Sequence, residues 1–217
     1  MAKIIIFGIQ DFAELAHYYL ENDSEHDVAA FCVNEKYLPE EKTFKGLPII
    51  AFENIEKHYP AGEYKFFAPM SPQRMNRIRE EIYFAIKARG YELISYISSK
   101  ATMFENKIGD NCFILENNTI QPFTAIGNNV VMWSGNHIGH HCVIKDHVMF
   151  TSHVVLSGHC TVENYCTLGV NATIRDGIII AEGTFVAMAA SIIRNTEAWG
   201  LYKGNPAVKS EKSTKEL

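Results

Sequence analysis

The chain carries no surplus of positive charge. Its 20 Lys and Arg stand interspersed among 25 Asp and Glu, for a formal net charge of −5. Without a basic stripe it has nothing to track a phosphate backbone, which excludes nucleic acid as a partner. No run approaches the roughly 18 apolar residues of a membrane span, and the opening Lys3-Ile4-Ile5-Ile6-Phe7 enters a strand rather than a signal peptide. A soluble cytoplasmic protein is expected. Cysteine is scarce and odd in number, at five, with no CxxC spacing, so neither a disulfide framework nor a cysteine zinc site is indicated. Buried thiols used as small hydrophobes are expected instead. Glycine is also short where a dinucleotide site would need it. Of the three in GxGxxG only Gly8 is present, so no such cofactor is expected.

What the chain does have is a period of six. From Ile108 to Glu197 every sixth residue is apolar: Ile108, Ile114, Ile120, Ile126, Met132, Ile138, Ile144, Phe150, Leu156, Val162, Leu168, Ile174, Ile180, Val186 and Ile192. Neither a helix nor a flat strand needs that period. It fits a parallel β-helix in which each hexad is one short strand and one turn, and three strands close a triangular coil. Five coils at about 4.8 Å each give a prism roughly 24 Å tall. The position four after each apolar residue is mostly small, and it holds Cys112, Cys142, Cys160 and Cys166. Such a column suits an inward corner with little room.

The first hundred residues read as a small parallel α/β domain. Lys3 to Phe7 is a strand, Gly8-Ile9-Gln10-Asp11 a turn, and the amphipathic stretch to about Leu20 a helix; Asp27 to Val33 is the next strand. Further strands are expected at Gly46–Ile50, Tyr64–Ala68 and Tyr91–Ile97. A short helix is expected over Phe52–Tyr59, and a longer one capped by Ser71 and running from Pro72 to Arg89. The turn after a first parallel strand offers backbone N–H groups and a helix N-terminus to an anion, and Asn34 and Glu35, after the second strand, stand where a ribose or base edge would be read. The organisation expected is 1–100 α/β, 101–197 prism, and 198–217 a C-terminal segment with a loose tail from Ser210. No Gly/Pro-rich linker separates the halves, so rigid packing is expected.

Six of the nine histidines lie between His137 and His159. His141, His147, His153 and His159 share the fourth place of their hexads. Successive hexads occupy successive faces, so only His141 and His159, eighteen apart, stack; the four do not converge, no metal site is expected, and solvated or interface histidines are the plain reading. His140 alone takes the third place, and Gly158 lies eighteen residues on, one coil above it. A general base beside a backbone donor for an oxyanion is one reading of that pair; a surface histidine beside a turn glycine is the other.

On the hexads, the Ile138-Gly139-His140-His141-Cys142-Val143 unit and the closing Gly204-Asn205-Pro206-Ala207, the chain resembles the bacterial nucleotide-sugar acyltransferases with a left-handed β-helix. These include the amino-sugar N-acetyltransferases of bacillosamine and perosamine synthesis and the sialic acid O-acetyltransferase-like proteins. The resemblance covers nearly the whole chain. It implies a homotrimer with active sites between subunits, and acetyl-CoA as acyl donor lying along the prism, near Gly158, Ala187, Met188, Ala189, Gly204, Asn205 and Pro206. It implies a nucleotide-linked sugar held by the first domain through Gly8, Ile9, Gln10, Asp11, Phe12, Asn34 and Glu35. It assigns His140 as base, with His137 as substitute candidate, and the Gly158 amide as oxyanion donor. Three places depart from the family pattern. The acidic residue that often follows the base is His141, the aspartate after the second strand is Asn34, and the usual Gly-Ala-Gly-Ala stretch is Ala187-Met188-Ala189-Ala190. O-acetylation, a longer acyl donor, a noncatalytic trimeric scaffold and a zinc carbonic anhydrase of similar prism fold are the alternatives; the closing motif and the α/β domain argue against the last.

Overall fold

The computed structural model describes residues 2–216. The chain opens with β1 (Lys3–Phe7), α1 (Asp11–Asp23) and β2 (Asp27–Val33), then β3 (Thr43–Phe44), β4 (Leu47–Ala51), α2 (Ile55–His58), β5 (Tyr64–Phe67) and α3 (Arg77–Ala88). The sheet order is β3-β4-β2-β1-β5. The pairings β1–β2, β1–β5 and β2–β4 are parallel, and β3 is an antiparallel edge strand that the sequence reading did not contain. Ile4, Ile5 and Ile6 of β1, an interior strand, are all fully buried, as expected for a parallel strand covered on both faces.

Fifteen two-residue strands follow at six-residue intervals, from β7 (Lys107–Ile108) to β21 (Ser191–Ile192). They stack into three parallel sheets, each pairing a residue with the one eighteen further on. This is a left-handed β-helix of five coils following an α/β domain. The apolar residues of the hexad frame form one continuous core cluster, with Ile108 packed against it. The fourth place of every hexad from Asn111 to Ala189 adopts positive φ, including Asn117, Asn129, His141, His159 and the glycines at 135, 177 and 183. That left-handed corner explains the residues found there, since Asn and His enter αL more readily than most side chains.

Every member of the small column is buried, but size is only half of its chemistry. The Sγ of Cys112, Cys142, Cys160 and Cys166 contacts, at 3.1–3.2 Å, the carbonyl fifteen residues on. Asn118 Nδ2 donates to Trp133 O at 3.0 Å and Thr124 Oγ1 to Gly139 O at 2.7 Å in the same way. Corner carbonyls buried inside the prism need donors, so these thiols are donors as well as fillers, which corrects the purely hydrophobic reading.

One prism face carries the first domain. Phe113, Leu115, Val131, Trp133 and Met149 share a cluster with Ile4, Ile6, Ala13, Ala16 and Leu20 of β1 and α1. A second contact runs along one prism edge, where Asn111, Asn129, His147 and Tyr165 lie eighteen residues apart. Asn111 Nδ2 donates to Asn129 Oδ1 at 2.8 Å, Asn129 Nδ2 meets His147 Nδ1 at 2.8 Å, and His147 lies flat on Tyr165 at 5.4 Å. Tyr165 OH donates to Glu80 of α3 at 2.6 Å, and Arg77 covers the Tyr165 ring at 3.9 Å. His147 is thus buried at 4% exposure, an interface histidine rather than a solvated one.

Three element boundaries also differ. The predicted helix from Pro72 begins only at Arg77, because Arg74, Met75 and Asn76 take positive φ. Asn76 is fully buried and donates to Thr167 Oγ1 at 3.1 Å and Tyr165 O at 3.2 Å, so anchorage to the prism sets the helix start. The strand expected over Tyr91–Ile97 does not join the first sheet as a unit. Leu93 bridges Phe66, whereas β6 (Tyr96–Ile97) pairs with β8 (Phe113–Ile114) and caps the prism. The tail expected to be loose from Ser210 instead belongs to β23 (Ala207–Ser213), which folds back on β22 (Gly200–Gly204). Thr214 behind it is buried, its Oγ1 donating to Gly183 O at 2.8 Å. Leu217 lies outside the described residues.

Candidate active site

The turn between β12 (His137–Ile138) and β13 (Val143–Ile144) places His140 on the prism edge opposite the face that carries the first domain. His140 and Gly158 are neighbours there. A Cβ added to Gly158 would fall 2.9 Å from His140 Cε1 and 3.0 Å from Nε2, and one on Gly139 would fall 2.5 Å from the Gly158 nitrogen. Glycine at both positions is what lets the imidazole lie over the next coil. The flanking amides are committed, Ser157 N–H to Ile174 O at 3.1 Å and His159 N–H to His140 O at 2.9 Å. The Gly158 N–H donates to no backbone or side-chain acceptor among the described residues.

Two residues that sequence reasoning left unassigned hold His140. Its backbone N–H donates to Gln121 Oε1 at 3.0 Å. Its Nδ1 lies 3.0 Å from Nδ1 of His141, so one of the two carries the proton. With that proton on His140, its Nε2 holds the free lone pair. Gln121 stands nineteen residues before His140, one coil and one residue away, and the hexad frame alone gave no reason to look there.

His141 and His159 stack as the frame predicts, with ring centroids 4.9 Å apart and planes within 18°. His140 joins them, 5.1 Å from His141 and 4.9 Å from His159. One ligand atom from each of the three lies within 4.8 Å of the others. The four fourth-place histidines do not converge, as the frame predicts, since His147 packs with Asn129 and Tyr165 and His153 lies beside Gly135. What the frame did not show is that His140, in the third place, joins the stacked pair. His137 stays apart on its strand, in register with Thr119 and Val155.

The remaining candidates fall into two groups elsewhere. Ala187, Met188 and Ala189 follow β20 (Phe185–Val186), on a different prism edge from His140. Ala187 N–H donates to Tyr202 O at 2.8 Å, which brings this turn beside β22. Gly204 and Ala207 pair, with Asn205 and Pro206 as the hairpin turn between them. Met188 projects outward at 73% exposure. In the first domain Gly8 has φ 117, a conformation that needs glycine. Gln10 caps α1 without a side-chain bond, and Asp11 opens its first turn. Ile9 and Phe12 pack against the core shared with the prism, Phe12 meeting Trp133 edge to face at 5.5 Å. Asn34 and Glu35 line a cleft of about 760 Å³ with Lys36, Glu53, Glu81, Ile82 and Ala85.

No protein-family model and no curated protein sequence matches the chain. Solved structures do match it in fold over almost its whole length. A histidine-to-asparagine mutant of perosamine N-acetyltransferase from Caulobacter crescentus, in complex with CoA and GDP-perosamine, superimposes with a TM-score of 0.86 at 19% identity, covering 98% of each chain. The acetyltransferase domain of PglB from Neisseria gonorrhoeae FA1090 gives 0.82 at 18% identity, over 97% of this chain and all of that one. WeeI from Acinetobacter baumannii AYE gives 0.81 at 20% identity, over 97% and 100%.

Proposed function

We propose that the chain is an acyl-CoA-dependent N-acyltransferase, with acetyl-CoA as donor and a nucleotide-linked amino-deoxy sugar as acceptor, serving bacterial glycan synthesis in the cytoplasm. The observation that carries this is the pairing of the His140 ring with the uncommitted Gly158 amide on an exposed edge. In the proposed step the sugar amine attacks the thioester carbonyl and loses a proton to His140 Nε2. The Gly158 N–H donates to the tetrahedral oxygen, and collapse expels the CoA thiolate, which takes the proton back. His141 acts as a positioning residue in place of the acidic partner. Perosamine N-acetyltransferase, which shares the fold, is crystallised with CoA and its nucleotide sugar, and the residue substituted in that structure is a histidine.

The chain is proposed to work as a homotrimer. Within one subunit His140 occupies one prism edge, the Ala187–Ala189 turn and the Gly204–Pro206 hairpin occupy another, and the first domain covers the face opposite His140. CoA lying between neighbouring prisms would meet all three at once. Val143, Ile179 and Val155 leave 44%, 45% and 37% of their surface open on the two uncovered faces, the places where neighbours would pack. In this reading Gly8, the α1 N-terminus, Asn34 and Glu35 hold the nucleotide, and Met188 shapes the thioester channel. His140→Ala should lower kcat for acetyl transfer by about 10²- to 10⁴-fold, the usual worth of a general base, with CoA affinity retained in calorimetry. Full activity in that variant would remove His140 from the role.

A further inference from the structure

We propose that His140, His141 and His159 form a binding site for a divalent transition-metal ion of the zinc class, and that the loaded site is inactive in acyl transfer. Three imidazoles meet on one turn, with one ligand atom from each within 4.8 Å of the others. Zinc–nitrogen bonds of about 2.0–2.1 Å in a tetrahedron place ligand nitrogens about 3.3 Å apart. The His140 and His141 Nδ1 atoms already stand at 3.0 Å, and all three side chains are exposed. Three neutral nitrogens with no carboxylate among them select zinc, copper or nickel over magnesium or calcium. A three-histidine set leaves a fourth position for water.

The geometry of the trio follows from the period of the prism. The eighteen-residue repeat stacks His159 on His141, both at left-handed corners with φ 59 and 57. His159 has no part in the proposed reaction. A neutral imidazole has a single lone pair. Once the metal holds that of His140, its other nitrogen carries the proton and nothing remains to accept one from an amine. The inhibition rests on the proposed role of His140; the binding does not.

The test is calorimetric titration of untagged, chelator-treated full-length protein with zinc chloride, with His159→Asn and His141→Asn as variants and His153→Asn as control. Asparagine keeps the left-handed corner, as Asn111 and Asn171 do, so the variants should fold. The expected result is one zinc per chain, with affinity at least about 100-fold weaker in His159→Asn and His141→Asn, more than the loss typical of an outer-shell partner, and unchanged in His153→Asn. Absence of saturable binding, or wild-type affinity in His159→Asn, overturns the site. In the activity arm, zinc should inhibit acetyl transfer with a midpoint at the calorimetric Kd, and His159→Asn should shift that midpoint by the same factor. Equal inhibition of wild type and His159→Asn overturns the inactivation. If no acyl transfer is found with any sugar, the acyltransferase reading fails, and the calorimetry still decides the metal site.

Discussion

His147 shows how a single side chain can tie the two halves of the molecule together. Burial pushes its imidazole below the ordinary histidine value, the positive charges of Arg79 and Arg77 push the same way, and Glu80 and Asp146 only partly oppose them. Asn129 offers an N–H to Nδ1, a contact that fits only the neutral ring. Above about pH 6.5 the ring is neutral folded or unfolded, and the interaction is fully present. As pH falls below that value the unfolded chain takes up the proton first, so stability declines until the folded value is passed. The urea midpoint should therefore drop between about pH 7.5 and 5.5, with a shallower slope in His147→Asn. An unchanged slope would assign the effect elsewhere. Gly158 makes a second residue-scale prediction. A methyl there would meet the His140 ring at 2.9 Å, and a displacement near 1 Å costs about 100-fold in rate, so Gly158→Ala should lower kcat with little change in KM for CoA.

At the scale of elements, each two-residue strand is held by its neighbours above and below and by one inward side chain. Leu156 is fully buried between Ile138 and Ile174 in its sheet. Leu156→Ala should cost about 2–5 kcal/mol, read as a lowered urea midpoint. The C-terminal hairpin is the other element with a sharp test. Gly183 has φ 63, and a Cβ there would fall 2.3 Å from the Trp199 ring. That ring lies flat toward Tyr165 at 6.2 Å and is covered by Lys215 at 5.1 Å. Gly183→Ala should displace Trp199 and quench or shift its fluorescence, while Gly177→Ala, with nothing within 4 Å, should leave that emission unchanged.

The hexads were legible because a six-residue period has only one physical use, and the frame carried the prism, its five coils and the His140–Gly158 pairing. What it could not show were contacts that depend on how two regular pieces meet. Asn76 stops a helix that propensity would extend to Pro72, because its side chain is spent on Tyr165 and Thr167 nearly ninety residues away. The tail looks loose by composition and is held by pairing with Gly200–Gly204. Gln121 meets His140 only across consecutive coils, and the Nδ1–Nδ1 contact between His140 and His141 depends on the rotamers of adjacent side chains rather than on the period.

At the scale of the whole molecule, the proposed trimer would bring the candidate groups, which lie on separate prism edges of one chain, together across subunits. Sedimentation should give three times the chain mass of 24.5 kDa, and a monomer with full activity would contradict the assembly. Mixed trimers of His140→Ala with a variant altered at Asn34 and Glu35 should recover activity that neither shows alone.

The central claim is acyl transfer from CoA to an amino sugar at the His140 edge. Its most direct test is mass spectrometry of the purified protein with acetyl-CoA and a panel of UDP-, dTDP- and GDP-linked amino sugars. The account predicts that one of them gains a single acetyl group on nitrogen, with free CoA released in equal amount, and that His140→Ala slows the gain by about 10²- to 10⁴-fold. Binding of acetyl-CoA with no acetylated product from any sugar, or product formed equally by His140→Ala, would contradict it.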